Sequence, residues 1–289
     1  MQTGRFDMWI LLVLLYGLIK GAREVIKKKA LISSTVMEVL IVYTALAFVI
    51  ILPDSKNAMG INPSFLFWIA IKSFVIFLAW LFGFKAIDKM PISIYGVLDL
   101  SRVLFSTLLG LAVLKEVLSV YQIAGLLLVC LGLFMLNRTR KMSSNKAEGV
   151  ETVYVVLAIL SCLLNALSGL MDKILMKSVT SSQLQYWYML FLLLFYMLYI
   201  FIAKAKIRWK SAFKNGWIWL MSFLFIIADR ALFIANGMEG SKVTVMTLIK
   251  QSGCLVAILA GKFLFKEKNI AYKLLCAAVI LTGIMIGVI

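Results

Sequence analysis

Charged residues lie inside stretches of this sequence that otherwise have the composition of membrane-spanning helices. Six are basic and five are acidic, namely Lys20, Lys72, Arg102, Lys173, Arg230, Lys250, Glu24, Glu38, Asp99, Asp172 and Asp229. A charge in the hydrocarbon core of a bilayer costs at least about 2.5 kcal/mol, so it normally faces a partner or a watery cavity. The set predicts a polar site at mid-membrane that handles a small polar solute. For any single charge, a structural ion pair is the alternative interpretation.

The fourth apolar stretch carries the most regular polar pattern. Tyr95, Asp99, Arg102 and Ser106 follow the spacing i, i+4, i+7, i+11, which places them on one face of a helix. Asp99 and Arg102 are three residues apart and are expected to pair with each other. This face is predicted to line the site, with a buried pair that only fixes helix packing as the alternative.

Further polar residues recur with helical spacing in other stretches and complete the predicted substrate site. The predicted substrate-binding residues are Trp80, Tyr95, Asp99, Arg102, Asn165, Asp172, Asp229, Lys250 and Gln251. For Trp80, packing against other helices is the alternative. Because the chain has no histidine, proton coupling would fall to a carboxylate, and Asp99, Asp172 and Asp229 are the candidates. In the first stretch, Lys20 and Glu24 are four residues apart and are predicted to form a local ion pair.

The composition excludes several classes of function. The absence of histidine removes histidine metal sites and Ser-His-Asp triads, and the four cysteines have no metal-ligand spacing. No GxxxxGK[ST] phosphate-binding loop occurs. We therefore predict that the protein is not an enzyme and has no catalytic residues, no metal and no cofactor.

The apolar stretches themselves predict an all-α polytopic membrane protein. The chain has 289 residues and is 63% hydrophobic, and a spanning helix needs about 20 mostly apolar residues. Ten such stretches lie at roughly 8–28, 33–53, 62–84, 91–113, 119–137, 152–175, 182–203, 216–238, 243–264 and 270–288. The net charge of +17 lies mostly beside the ends of these stretches. Expected partners are therefore the lipid bilayer and a small solute, without nucleic acid, and a monomer is favoured over an oligomer.

The two halves of the sequence resemble each other at an offset of 151 residues, without a gap, from Trp68 to Arg138. Matches in this register include Trp68 with Trp219, Lys115-Glu116 with Lys266-Glu267, Tyr121 with Tyr272, and Gly132 with Gly283. With five stretches in each half, the second half must be inverted relative to the first, an arrangement that puts a site at the repeat interface. The predicted domains are 1–137 and 152–289, joined by a linker at 138–151 into one transport unit.

The end of the fourth stretch carries a recognisable motif. Leu114-Lys115-Glu116, followed by Tyr121-Gln122, Gly125 and Gly132, resembles the pattern of the drug/metabolite transporter superfamily in its ten-span, two-repeat, EamA-like form. The resemblance implies a secondary active or facilitative transporter that works by alternating access in a bacterial inner membrane. It also implies that stretches 1, 3, 4, 6, 8 and 9 surround a central cavity. Glu116 is expected to cap the helix that follows it.

The mixture of charges indicates the class of solute. It suits a zwitterion such as an amino acid, or an organic anion; a multidrug or cation exporter is the alternative, and a non-transport membrane protein with structural ion pairs is a further one. The repeat places Lys250 in the position equivalent to Asp99, so these two side chains are predicted to approach each other near mid-membrane.

Flanking charges give a prediction of orientation. Of the lysines and arginines outside the stretches, 19 follow odd-numbered stretches and 5 lie on the other side. Basic loops stay in the cytoplasm, so this count predicts external termini, whereas the resemblance implies cytoplasmic ones.

Overall fold

α-Helices make up the fold, and no strand occurs among the residues that the structure describes. The computed structural model describes residues 8–89, 95, 98–99, 101–143, 152–253, 256, 260, 264 and 270–288. A turn of 3₁₀ helix, Leu52–Asp54, connects α2 to α3. The α-helices of this part of the chain are α1 (Met8–Ser33), α2 (Val36–Ile51), α3 (Ser55–Ala58), α4 (Pro63–Lys89), α5 (Ser101–Val113), α6 (Val120–Ser143), α7 (Thr152–Leu175), α8 (Ser181–Ala203), α9 (Trp209–Lys214), α10 (Gly216–Gly237), α11 (Val243–Lys250) and α12 (Ile270–Val288).

Each of the ten apolar stretches contains α-helix, and the all-α membrane class is confirmed. Five segments are long and apolar enough to cross a bilayer, namely Val36–Ala58, Pro63–Lys89, Thr152–Leu175, Ser181–Ala203 and Gly216–Gly237. Three shorter apolar helices lie at Ser101–Val113, Val120–Gly132 and Ala278–Gly287. Large apolar side chains cover the outer faces of these helices; Phe201 is 82% exposed and Phe67 is 64% exposed. Such faces suit lipid, whose tails are as apolar as they are.

Capping boxes fix the start of two of these helices. The Thr35 hydroxyl accepts a hydrogen bond from the Glu38 backbone N–H, while the Glu38 carboxylate accepts one from the Thr35 N–H at 2.8 Å. Thr180 and Gln183 make the same reciprocal pair at the start of α8. Each box satisfies backbone donors that would otherwise have no partner in the first turn.

Helix contacts form matched sets when the first five stretches are exchanged for the last five. Three contacts map onto themselves: α2 with α8, α5 with α11 and α6 with α12. Three others map in pairs: α1 with α10 onto α7 with α4, α1 with α11 onto α7 with α5, and α2 with α10 onto α8 with α4. A twofold pseudo-symmetry axis predicts such a pattern.

Glycines allow the closest of these contacts. A Cβ atom on Gly125 of α6 would lie 2.5 Å from the carbonyl oxygen of Gly283 and 2.6 Å from the Cα of Gly287, both on α12. No side chain fits there, because backbone meets backbone. Gly283 and Gly287 form a GxxxG motif of α12, and this close contact with α6 joins the two halves of the chain.

Candidate functional site

A cavity of about 110 Å³ lies between the helices. Its described wall comes from α1, α4, α5, α7, α10 and α11, together with Tyr95 just before α5. One further residue comes from α2, Tyr43, and one from α8, Tyr188. Six helices therefore supply most of the wall, and they correspond to stretches 1, 3, 4, 6, 8 and 9.

Seven of the nine predicted substrate-binding residues line this cavity, namely Trp80, Tyr95, Arg102, Asn165, Asp172, Asp229 and Lys250. Asp99 and Gln251 are not among the described lining residues. Gln251 is 3% exposed, and its amide donates to the carbonyl of Thr247, one turn earlier on its own helix. Asp99 lies behind the wall, where it holds two of the lining cations.

The carboxylate of Asp99 joins α1 to the beginning of α5. Its Oδ2 lies 2.9 Å from Lys20 Nζ, and its Oδ1 lies 2.6 Å from Arg102 Nη2. The predicted Asp99–Arg102 pair is therefore confirmed. The predicted Lys20–Glu24 pair is wrong, because Lys20 reaches across to Asp99 and Glu24 pairs with Lys27 at 2.8 Å.

Lys250 lies apart from this pair. Its Nζ is 5.5 Å from the centre of the Tyr16 ring, and no described carboxylate lies within 4 Å of it. Asp99 and Lys250 therefore form no ion pair with each other. The repeat places the two at equivalent positions, but Lys20 and Arg102 already occupy both oxygens of Asp99.

A cation on α4 is fully enclosed at one side of the cavity. Lys72 Nζ lies 3.1 Å from Asp172 Oδ1, 3.2 Å from the centre of the Tyr188 ring and 5.1 Å from that of Phe233. Its side chain is 2% exposed. We call these four residues the Lys72 corner. Lys72 is one of the intramembrane charges of the sequence but is not among the predicted site residues.

The second enclosed cation is Arg23 of α1, which lies among aromatic rings from other helices. Arg23 Nη2 donates to the Tyr43 hydroxyl at 2.9 Å, and its guanidinium carbon lies 4.5 Å from the centre of the Phe225 ring. Trp80 packs at 5.4 Å from Tyr43 and 5.1 Å from Phe225. We call these four residues the Arg23 corner. Among the described residues, no carboxylate lies within 4 Å of Arg23, and its buried Nε has no hydrogen-bond partner.

The predicted site omits Arg23, because this residue and Lys27 were counted among the charges that flank the first stretch. Helix α1 continues to Ser33, so both residues are part of the cavity wall. Their spacing carried the signal, since Tyr16, Lys20, Arg23 and Lys27 share one helix face. Removing Arg23 and Lys27 from the flanking charges leaves the bias between the two sides in place but smaller.

Asp229 and Arg230 point in different directions, as adjacent helical residues must. Asp229 lines the cavity, and in the described part of the chain no cation lies within 4 Å of its carboxylate. Arg230 faces away and lies 2.6 Å from Asp54 Oδ2, while it also donates to Ser182 and Gln185.

Glu38 is another intramembrane charge that serves structure. It is 0% exposed at the start of α2, and its carboxylate accepts from Arg208 Nε at 2.9 Å, from Nη2 at 3.1 Å and from the Arg208 backbone N–H at 3.0 Å. These hydrogen bonds raise the pKa of the Arg208 guanidinium above its ordinary value. Glu38 therefore ties α2 to the segment before α9.

Positive charge predominates in the cavity wall. The described lining residues include six basic side chains, Lys20, Arg23, Lys27, Lys72, Arg102 and Lys250, and three acidic ones, Glu24, Asp172 and Asp229. Asp99 adds one carboxylate behind the wall. Ion pairs within 4 Å involve all of these charges except Arg23, Lys250 and Asp229.

Two lysines bind the carboxyl-terminal ends of two other helices. Lys28 Nζ donates to the carbonyl of Ile87 at 2.6 Å, near the end of α4. Lys173 Nζ donates to the carbonyl of Asn236 at 2.8 Å, near the end of α10, and also to the Ser241 hydroxyl. The carbonyls at a helix end carry partial negative charge, which favours a cation there. We call these two contacts the lysine latches.

The two lysines of the latches also show that the resemblance between the two halves includes the first two stretches of each half. The offset there differs from 151. Lys28 and Lys173 are 145 positions apart, as are Thr35 and Thr180, and Tyr43 and Tyr188. The offset becomes 151 after these residues mainly because α8, with 23 residues, is longer than α2, with 16. These pairs precede Trp68, where the match at the 151-residue offset begins.

Glu116, from the recognised motif, caps a different helix from the one expected. Its carboxylate accepts from the backbone N–H of Val243 at 2.6 Å, from that of Thr244 at 3.2 Å and from the Thr244 hydroxyl at 2.8 Å. These donors belong to the first turn of α11, in the other half of the chain. The beginning of α6 is capped instead by Ser119 and Gln122. The second copy of the motif, Lys266-Glu267, lies outside the described residues.

Comparisons with known proteins agree with this architecture. A solved structure described only as "Crystal structure of protein" superposes with a TM-score of 0.71 at 13% identity, over 96% of this chain and 95% of that chain. At this identity the likeness shows the fold alone. No curated protein matches the sequence. Residues 7–138 match the model of the EamA-like transporter family. These residues are similar to the EamA-like family, which is part of the drug/metabolite transporter superfamily, and the match agrees with an integral membrane protein.

Proposed function

We propose that this protein is a secondary active or facilitative transporter of a small polar metabolite in a bacterial inner membrane. The observation that carries the proposal is a cavity with charged walls inside a bundle whose outer faces are apolar. Such charges are costly in a bilayer unless they face partners or water, and they commonly mark a solute path.

Two inverted repeats would form this transporter, 1–137 and 152–289, with a linker at 138–151 and ten membrane spans in all. The matched helix contacts and the two sequence offsets support this organisation. Helices on both sides of such an axis would share the cavity, as in other inverted-repeat transporters.

The size of the cavity favours a metabolite over a drug. Pockets for drug-sized ligands run from about 300 to 1,000 Å³, and this cavity measures about 110 Å³. Its excess of basic side chains also disfavours a lone organic cation. Both properties oppose a multidrug or cation exporter and support a zwitterion or an organic anion.

The lysine latches support alternating access. In a ten-span chain the ends of α4 and α10 lie on opposite sides of the membrane, because one belongs to an odd-numbered span and the other to an even-numbered span. Lys28 holds one end and Lys173 holds the other. Opening one latch while the other stays closed would expose the cavity to one side at a time.

Among the proton-coupling candidates, the contacts favour Asp229. Protonation of Asp99 would break two ion pairs, and protonation of Asp172 would break its pair with Lys72. Asp229 faces the cavity without an ion pair to any described residue. If transport is coupled to protons, Asp229 can exchange one without breaking an ion pair.

The ion pairs favour one alternative, a membrane protein in which charges only hold helices together. Lys72–Asp172 and Lys20–Asp99–Arg102 fit that alternative. Purified protein in proteoliposomes distinguishes the two possibilities. The proposal predicts saturable uptake of at least one metabolite from a panel of amino acids and organic acids, above that of protein-free vesicles. Absence of uptake across the panel by correctly folded protein would refute it.

A further inference from the structure

Two cations in the cavity wall, Arg23 and Lys250, have no carboxylate partner among the described residues. We infer that they bind the two acidic groups of a small organic dianion, such as a dicarboxylate, and that this dianion is the transported solute. The inference rests on the proposed function and narrows it to one class of substrate.

The surroundings of Arg23 are suited to hold it in place for a ligand. Tyr43 fixes one end of the guanidinium and the Phe225 ring covers its face. The buried Nε has no hydrogen-bond partner, and leaving a buried donor unsatisfied is costly. A carboxylate at this guanidinium would satisfy such donors through the paired hydrogen bonds that arginine favours.

The position of Lys250 indicates a second acidic group. Its Nζ lies over the ring of Tyr16, which is two turns before Arg23 on the same face of α1. Two turns of helix correspond to a rise of about 10 Å. Tyr43 and Phe225 contact Arg23, whereas Tyr16 contacts Lys250, so the two cations have different surroundings. The two carboxylates of a short diacid would provide one acidic group for each cation.

The charge balance of the wall leads to the same class of solute. Among the described residues, six lining cations face three lining carboxylates, and Asp99 behind the wall adds a fourth. The remaining charge of +2 is neutralised by a dianion and not by a zwitterion. An amino acid without net charge could place its ammonium group beside Asp229, but the positive charge of +2 would remain.

A series of ligands of one shape tests the inference on the unmodified protein. Succinate, succinamate and succinamide carry two, one and no negative charges, and L-aspartate adds an ammonium group to the dicarboxylate. Malonate, glutarate and adipate vary the separation of the acidic groups. We expect thermal stabilisation and proteoliposome uptake with at least one diacid. Its affinity should exceed that of its monoamide about tenfold, as expected when a charge-assisted hydrogen bond is lost.

Variants then assign the two subsites. Arg23→Gln and Lys250→Met should each weaken diacid binding about tenfold and reduce the preference for the diacid over its monoamide. Arg23→Lys, which keeps the charge, should retain part of the affinity. Arg230→Gln is the matched control, because Arg230 is an intramembrane arginine that faces away from the cavity.

The outcomes separate this inference from the proposed function. Uptake of amino acids or cations with no diacid binding would overturn the dianion while keeping the transporter. Diacid binding that is unchanged in both Arg23→Gln and Lys250→Met would overturn the assigned subsites. Absence of uptake of any solute would refute the proposed function itself. If Arg23→Gln fails to fold, the order of succinate, succinamate and succinamide on the unmodified protein still decides the substrate class.

Discussion

The Arg23 corner and the Lys72 corner have similar aromatic surroundings, but only the Lys72 corner contains a carboxylate that pairs with its cation. Each places a cation beside one tyrosine of the pair Tyr43 and Tyr188, which are 145 positions apart in the repeat, and beside a phenylalanine of α10. Lys72 is paired with Asp172, whereas Arg23 has no carboxylate partner among the described residues. The same aromatic framework therefore holds one neutralised cation and one that is not.

This difference separates charges that hold the structure from charges available to a ligand. A buried ion pair contributes little net stability, but breaking it leaves an uncompensated charge and costs several kcal/mol. An unpaired cation facing a cavity is a functional candidate instead. The two corners should consequently respond to substitution in opposite ways.

The largest expected effect on stability comes from breaking the Lys72 corner. Lys72→Met leaves Asp172 buried without its cation and should lower the free energy of unfolding by about 3–5 kcal/mol. Thermal unfolding of the purified protein in detergent measures this loss. The double variant Lys72→Met, Asp172→Leu removes both charges and should recover most of it. Equal destabilisation in the single and double variants would show that the ion pair is not the reason.

Replacing Arg23 should reduce transport strongly and stability only slightly. Arg23→Gln loses a hydrogen bond to Tyr43 and the contact with the Phe225 ring, together about 1–2 kcal/mol of stability. Solute flux should fall about tenfold or more, because the binding charge is gone. Unfolding and flux are measured on the same preparation. A stability loss as large as that of Lys72→Met, with normal flux in the folded fraction, would mean that Arg23, like Lys72, stabilises the fold and does not bind solute.

The lysine latches allow a test of the pseudo-symmetry between the two halves, from which the two corners depart in their charge pairing. Lys28→Met and Lys173→Met should each favour opening at one end, by about tenfold if one charge-assisted hydrogen bond is lost. Asn165→Cys, in a chain without native cysteines, provides a reporter in the cavity. A membrane-impermeant thiol reagent should label it faster from opposite sides in the two variants. Faster labelling from the same side in both would contradict opposed latches.

The smallest expected effect comes from Glu116, which belongs to neither corner. Glu116→Gln keeps part of the cap on Val243 and Thr244 but loses its charge at the start of α11, costing about 1 kcal/mol. Thermal unfolding should shift slightly, while the order of ligand affinities stays unchanged. A change in that order would mean that the cap also shapes the cavity.

Much of the fold was predictable from local sequence. The positions of the apolar stretches follow from composition, and the Asp99–Arg102 pair follows from spacing along one helix. Seven of the nine predicted site residues line the cavity, because helical periodicity identifies a polar face before its partners are known. The errors involve pairs between helices: Lys20 binds Asp99 and not Glu24, and Glu116 caps α11 and not α6.

The sequence by itself determined the membrane class, the helical stretches, the resemblance between the two halves and most of the buried charges, since each of these depends on residue type and spacing along the chain. Only the tertiary structure decided which charges are paired and which face the cavity. Lys72 and Arg23 are both cations on long apolar helices, and the difference between them is Asp172, 100 positions after Lys72. Electrostatic pairing depends on distance in space, and helix packing brings residues together that the linear order keeps apart.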